Sequence, residues 1–163
     1  MSILVFLDEA KGPAGLNEVV LKAGLSRGKA LGLLQRLVRE GYVAREGKGY
    51  LIAAKGQVIL RELQPAPAGK EFQFYYDLDQ FAGVSAKSLG EFLERIKTVD
   101  NRVLEFHVGR GDFEAWMRDV FTDLDLVRQL EEVRKSGTKG EDLRDKLLGI
   151  VDKRFSELCR LTS

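Results

Sequence analysis

The sequence is poor in the residues that build most catalytic and redox sites. Its 163 residues include one cysteine, Cys159, and one histidine, His107. These counts exclude an intramolecular disulfide and argue against a His/Cys zinc site or a Cys–His nucleophilic pair. Walker, Rossmann and serine-nucleophile motifs are absent, and the acidic residues form no spaced cluster that would hold a metal. We therefore expect no enzyme activity, no cofactor and no metal site.

Long apolar runs and a large net charge are also missing. No stretch approaches the roughly 18 apolar residues of a membrane span, and the N-terminal segment has early acids and no basic region of the kind that opens a secretory signal. The 26 Lys and Arg nearly balance the 25 Asp and Glu, and 44% of residues are hydrophobic. This composition predicts packed domains without membrane association, in a cytoplasmic protein.

Proline is scarce, and its placement indicates a domain boundary. Two of the three prolines lie within residues 64–70, together with Gly69, and Ala-Pro pairs favour extended backbone. Residues 1–64 carry 10 basic and 6 acidic side chains, whereas residues 65–163 carry 16 basic and 19 acidic. The sequence thus predicts a basic domain over residues 1–64, a linker over 65–70 and an acidic domain over 71–163.

The basic domain has the pattern of three helices followed by a hairpin. Apolar residues recur at helical spacing in three segments, with Gly24 as a left-handed stop and Ser26 as an N-cap between the second and third. Two β-rich runs, residues 42–45 and 50–53, then flank the Gly-containing connection 46–49. A further helix is predicted from Gln57 to about Leu63.

The stretch LSRGKALGLLQRLVREGYVAREGKGYLIAAKG resembles the helix-turn-helix, wing and closing segment of MarR/PadR-type winged-helix domains, a likeness that covers about the first 64 residues. The resemblance implies that the helix beginning near Ser26 enters the major groove of DNA and that the wing touches the DNA backbone or minor groove. The DNA-binding residues predicted in this way are Ser26, Arg27, Lys29, Arg36, Arg39, Arg45 and Lys48.

Other residues of the third predicted helix leave its role open. Gly28, Leu31 and Gly32 stand where relatives usually carry polar residues, and they offer no donor or acceptor to a base edge. They favour a close approach of the helix backbone over a rich sequence code. Alternatively, Gly28 and Gly32 allow tight packing on another helix, the basic residues are a solvated face, and the domain binds protein.

The acidic domain shows five apolar stripes at helical spacing and is predicted to be all-helical. The helices start near Ser88, Asp100, Asp112 and Asp123 and after the connector 136–140, and Gly109 is predicted to end the second of them. Five aromatic residues precede these helices: Phe72, Phe74, Tyr75, Tyr76 and Phe81. They indicate an extended segment that buries its rings, or alternatively an aromatic ligand cage or base-stacking platform.

Several segments of the acidic domain are similar to an uncharacterised helical domain found widely in archaea. They are Ser88–Leu89, the run His107–Phe113, Trp116 and Asp123–Leu124, and the likeness covers most of residues 70–160. Because that family has no established activity, the resemblance implies a fold and an archaeal-type source, but no functional residue.

His107, Arg110 and Asp112 allow two interpretations. A histidine three residues from an arginine can bind an acidic ligand or transfer protons near neutral pH. Alternatively, His107 is a structural residue at the end of a helix, Asp112 caps the next helix and Arg110 pairs locally.

Together these patterns predict a mainly α protein, a winged helix-turn-helix followed by a five-helix domain. The function that fits best is a transcriptional regulator that binds double-stranded DNA, with a second domain that dimerises, senses a signal or recruits a partner. A homodimer is expected because operator half-sites are related by two-fold symmetry. The alternative is a scaffold subunit in which both domains dock proteins.

Overall fold

The structure, a computed structural model, describes residues 1–162 and divides them into two compact units. One unit holds residues 1–61 and 158–162, and the other holds residues 62–157. The predicted DNA-binding residues all belong to the first unit. His107, Arg110 and Asp112 belong to the second.

The first unit is a winged helix-turn-helix, as the sequence predicted. Three helices are followed by a β-hairpin, and a fourth helix starts two residues after it. The elements in chain order are α1 (Ile3–Glu9), β1 (Ala14–Gly15), α2 (Leu16–Ala23), α3 (Arg27–Arg39), β2 (Val43–Glu46), β3 (Gly49–Ile52) and α4 (Ala54–Leu63). The start of α4 lies three residues before the predicted Gln57, because residues 54–56 contribute no apolar stripe that the sequence pattern could detect.

The turn between α2 and α3 is built by the predicted residues. Gly24 has a φ of 65°, the left-handed conformation that ends α2 and that glycine adopts without a steric cost. Ser26 is the N-cap of α3, and its Oγ accepts a hydrogen bond from the N–H of Lys29 at 3.4 Å. The left-handed glycine that ends α2 and the serine that caps α3 together fix where α3 begins.

A short third strand supports the wing. β1 pairs with β3, which also pairs with β2, so the antiparallel order is β1-β3-β2. At the start of β3, a Cβ on Gly49 would lie 2.7 Å from the Cβ of Pro13, which directly precedes β1. The close approach of these two segments therefore requires glycine at position 49. The sequence did not predict β1, because two residues are too few to show an alternation.

The second unit consists of a hairpin followed by five helices. Its elements are β4 (Phe72–Asp77), β5 (Gln80–Ala86), α5 (Leu89–Thr98), α6 (Asn101–Arg110), α7 (Asp112–Trp116) with a π-helical segment (Met117–Phe121), α8 (Leu124–Lys135) and α9 (Gly140–Thr162), of which the residues up to Glu157 belong to this unit. The mainly α class and the five helices are confirmed. The hairpin is an addition to the predicted all-helical domain, and β4 occupies the segment predicted to be extended.

Aromatic rings from β4 form the centre of this unit. Phe72 and Phe74 alternate with exposed or half-buried residues, and both are buried. The Phe72 ring lies 5.8 Å from that of Phe92 and 5.5 Å from that of Trp116, in edge-to-face geometry. Trp116 in turn donates from Nε1 to the carbonyl oxygen of Lys70 at 2.7 Å. The interpretation of Phe72 and Phe74 as buried anchors is therefore confirmed.

Two predicted features of the helix boundaries were wrong. α6 continues past Gly109 to Arg110 and ends at Gly111, which has a φ of 72° and supplies the left-handed stop. Asp112 does not cap the next helix, because its carboxylate is used by side chains of α6. Gly109 has open space around it and no positive φ, so nothing there requires the helix to end.

Three ionisable side chains, those of Arg154, Asp123 and Glu62, form a buried cluster in the second unit. Arg154 donates from Nε to Asp123 Oδ2 at 2.7 Å and from Nη2 to Glu62 Oε2 at 2.9 Å. Asp123 also caps α8, since its Oδ1 accepts from the N–H of Leu126 at 3.0 Å. Glu62 and Asp123 are only 1% and 2% exposed. Burial, reinforced by the neighbouring Asp123, raises the pKa of Glu62 to about 9, so Glu62 is protonated at neutral pH.

Candidate nucleic-acid interface

The first turn of α3 presents polar and basic groups to solvent. Ser26, Arg27 and Lys29 are all exposed. Arg27 donates from Nη1 to Asn17 Oδ1 on α2 at 2.6 Å, so its guanidinium is held between the two helices of the helix-turn-helix. The backbone N–H groups of a helix start carry partial positive charge, which attracts phosphate. This end of α3 is thus suited to an anionic partner.

The outward face of α3 has bare backbone in its first two turns. Ala30, Leu34 and Leu37 are buried on the inner face, whereas Gly28 and Gly32 are exposed on the opposite one. Apart from the neighbouring backbone of α3 itself, a Cβ built at either glycine meets no described atom within 4 Å. The alternative in which these glycines allow close packing on another helix of the described chain was therefore wrong.

Further along the same face, α3 carries long polar side chains. Gln35 and Arg39 are exposed and follow Gly28 at positions i+7 and i+11, which lie on one side of a helix. Arg36 is half-buried beside them, and its Nε is buried without a hydrogen-bond partner among the described residues. Sequence reasoning missed Gln35, although its helical spacing from Gly28 was a usable signal.

The wing adds two more cations. Arg45 on β2 lies opposite Tyr50 on β3, with its guanidinium 5.9 Å from the ring centroid. Lys48 lies in the turn between the two strands and is exposed. Lys55 on α4 has a different role, because its Nζ donates to the carbonyl oxygen of Glu40 at the end of α3, at 3.0 Å.

In the second unit, His107 is buried and uses both ring nitrogens. Its Nε2 accepts from the backbone N–H of Tyr75 at 2.8 Å, and its Nδ1 lies 2.8 Å from Asp112 Oδ2. Because a backbone N–H can only donate, Nε2 is unprotonated and the single ring proton lies on Nδ1. Burial lowers the pKa of His107, against the opposite effect of Asp112. The neutral ring thus links α6 to β4.

The described residues contain neither a metal-binding cluster nor a membrane-spanning helix. Within residues 1–162, no three or more His, Cys, Asp or Glu side chains are arranged to hold a metal ion. None of the helices in that range combines the length and the apolar character needed to cross a membrane.

Comparison with known proteins identifies the N-terminal segment. The family model of the IclR helix-turn-helix domain matches residues 1–47, which run from α1 through β2. The N-terminus is thus an IclR-type helix-turn-helix DNA-binding domain. No curated protein and no solved structure matches the chain.

Proposed function

We propose that the protein is a transcriptional regulator that binds duplex DNA with α3 in the major groove and the β2–β3 wing against the phosphate backbone. The observation that carries the proposal is the outward face of α3, which is exposed along its length and flanked by basic side chains, in a domain of IclR helix-turn-helix type. Residues Ser26, Arg27, Lys29, Arg36, Arg39, Arg45 and Lys48 make the contacts.

Most of these contacts are electrostatic. Six of the seven residues are Lys or Arg, which bind phosphate oxygens and fix the register of the protein on the duplex without reading its sequence. Sequence is read by Gln35, whose amide can pair with the N6 and N7 groups of adenine in the major groove. The bare backbone at Gly28 and Gly32 lets α3 sit deep enough for a residue in its third turn to reach the bases.

The finer family assignments and domain limits belong to the same proposal. The wing, which the IclR-type match covers only through residue 47, follows the MarR/PadR pattern, so the winged-helix domain extends over residues 1–64. In this proposal residues 65–70 are the linker and residues 71–163 the archaeal-type helical domain, limits that differ from the two compact units, which group residues 62–70 with the second unit and residues 158–162 with the first. That domain dimerises the protein, because an operator with two half-sites requires two-fold symmetry, or it senses a signal or recruits a partner.

Removal of four cations from α3 and the wing tests the proposal. We expect the variant with Arg27, Lys29, Arg36 and Lys48 all changed to Ala to bind random-sequence duplex DNA more weakly than the parent. The slope of log affinity against log salt concentration should also decrease in magnitude, by about 1 for each phosphate that the variant no longer neutralises. Fluorescence anisotropy of a labelled duplex, measured from about 50 to 200 mM salt, gives both values.

A charge-matched variant separates phosphate contacts at the proposed interface from the general attraction between a positively charged protein and DNA. Lys97, Arg102, Arg118 and Lys135 are exposed on the second unit, and changing all four to Ala lowers the net charge by the same amount. This variant should keep the parent's affinity and salt slope. If both quadruple variants bind as the parent does, the interface is wrong, and the scaffold alternative, in which both domains dock proteins, takes its place.

A single methyl group on the outward face of α3 should separate stability from binding. Gly32→Ala is expected to raise the free energy of unfolding by about 0.5–1 kcal/mol, because glycine is unfavourable inside a helix and the new Cβ has open space. The same methyl should weaken DNA binding by holding α3 away from the groove. Gly149→Ala on α9, also exposed with open space, is the control and should gain stability with no change in DNA affinity. Unchanged DNA affinity in Gly32→Ala would show that this face does not meet DNA.

A further inference from the structure

A pocket opens in the second unit between β4 and α6. Its volume is about 250 Å³, smaller than the roughly 300–1,000 Å³ of pockets for drug-sized ligands, so it suits a smaller molecule. Gln73, Tyr75 and Asp77 line it from alternate positions of β4, which place them on one face of the strand. Phe106 and Arg110 line it from α6.

Arg110 is held in place and still has free donors. Its Nε donates to Asp112 Oδ2 at 3.0 Å, and its guanidinium lies over the Phe106 ring, 5.2 Å from the centroid. Neither Nη has a hydrogen-bond partner among the described residues, and about half of the side chain is exposed to solvent. A guanidinium oriented in this way offers a paired set of N–H groups to a carboxylate.

The pocket nevertheless carries more negative than positive charge. Asp112 and Asp77 each contribute a carboxylate, against the one guanidinium of Arg110. His107, at the base of the pocket, adds no charge, because its Nε2 accepts from the backbone N–H of Tyr75. Asp112 is satisfied by His107 and Arg110, whereas Asp77 is exposed and, among the described residues, accepts only from the backbone N–H of Asp79, at 3.0 Å. Arg110 is the one cation among the described residues that line the pocket, and it is paired with Asp112, so the Asp77 carboxylate has no cationic partner in the lining.

Aromatic surface completes the lining. The half-buried rings of Tyr75 and Phe106 flank the charged groups, and Leu78 beside them is 71% exposed. The Tyr75 hydroxyl has no hydrogen-bond partner among the described residues. The ligand that satisfies this lining has a carboxylate, an ammonium group and an apolar body.

We propose that this pocket binds a free α-amino acid with an aromatic or large apolar side chain. Arg110 binds its carboxylate, Asp77 binds its ammonium group, and its side chain packs on Tyr75 and Phe106. A simple carboxylic acid would add a third negative charge to one guanidinium, and a simple amine would leave the Nη groups of Arg110 without an acceptor. The proposal is independent of DNA binding.

Calorimetric titration of the full chain with three ligands of one shape tests the charge requirement. L-Phenylalanine has both charged groups, 3-phenylpropionate lacks the ammonium and phenethylamine lacks the carboxylate. We expect saturable binding of phenylalanine and at least about tenfold weaker binding of the other two, because each loses one charge-assisted interaction. Equal or tighter binding of either analogue, or no binding of phenylalanine, overturns the proposal.

Variants locate the binding to this pocket. Arg110→Gln and Asp77→Asn should each weaken phenylalanine binding about tenfold or more, while thermal melts and the fluorescence of Trp116 show that the unit stays folded. Arg118→Gln is the matched control, since Arg118 pairs with Glu131 at 3.5 Å, does not line the pocket and is similarly exposed. Its affinity for phenylalanine should equal that of the parent. If Arg110→Gln and Asp77→Asn bind phenylalanine as the parent does, the site lies elsewhere and the proposal is wrong.

Discussion

Replacing Arg154 with methionine is expected to lower the free energy of unfolding by about 3–5 kcal/mol, because it removes the cation that neutralises a buried carboxylate. Asp123 is 2% exposed, and Arg154 Nε approaches its Oδ2 at 2.7 Å. Without the guanidinium, the charge of Asp123 keeps only the N–H of Leu126 and the carboxyl group of Glu62 as neighbours to satisfy it. Denaturant unfolding followed by the fluorescence of Trp116, the one tryptophan of the chain, measures the destabilisation of the second unit.

Two further variants separate the effect of burial from that of charge. Arg118→Met removes an exposed partner of Glu131 and should cost about 1 kcal/mol or less, as surface ion pairs do. Arg154→Lys keeps the charge but has a single nitrogen where the guanidinium contacts three carboxyl groups, those of Asp123, Glu62 and Glu157, so its stability should lie between the parent and Arg154→Met. If Arg154→Met cost no more than Arg118→Met, the cluster would contribute nothing beyond its packing.

Local signals explain which parts of the fold could be predicted. The start of α3 depends on Gly24 and Ser26, a left-handed stop and an N-cap that act over two to three residues. The hairpin wing depends on two β-rich runs with a glycine-containing connection. Each of these features is satisfied by neighbours in the sequence, so pattern and spacing were sufficient to predict it.

The features that could not be predicted join distant residues. The bond between Tyr75 and His107 spans 32 positions, and the one between Glu62 and Arg154 spans 92. Glu62 continues the buried positions of α4 after Ile59, but a carboxylate near the end of a helix does not indicate a core position, and Glu62 acquires its partner from α9. Asp112 has the spacing of an N-cap, but its carboxylate bonds to His107 and Arg110, which a search for caps does not consider.

The hairpin in the second unit was missed for a related reason. β4 and β5 pair with register shifts, and Gly83 has a φ of 79° within β5, so apolar and polar residues do not alternate evenly there. Phe81 is 50% exposed although the sequence groups it with the other aromatics. The alternation of Phe72 and Phe74 indicated that β4 is extended. β5 shows no such alternation, so its pairing with β4 was not predicted.

The second large effect expected concerns Glu62, whose raised pKa makes stability depend on pH in the opposite direction from an ordinary glutamate. The folded state holds a proton on Glu62 up to about pH 9, whereas the unfolded chain releases it near the ordinary glutamate pKa of 4.5. Above pH 4.5 the folded state thus binds more protons, and the free energy of unfolding falls as the pH rises, by about 1.4 kcal/mol per pH unit. Between about pH 7 and 8.5 we expect a decrease of about 2 kcal/mol.

Glu62→Gln should abolish this slope and make the protein more stable than the parent at about pH 8.5. A glutamine amide can accept from Arg154 and donate to Asp123 without taking up a proton, so the geometry of the cluster is kept. The range above about pH 7 is chosen because burial lowers the pKa of His107, which is then neutral in both states. Glu141→Gln is the control, since Glu141 is exposed and bonds to Asn101 and Arg144 lower its pKa, so its ionisation does not change on unfolding in this range. Equal slopes for the parent and Glu62→Gln in denaturant unfolding would show that Glu62 is ionised in the folded protein, and that Arg154 outweighs burial in setting its charge.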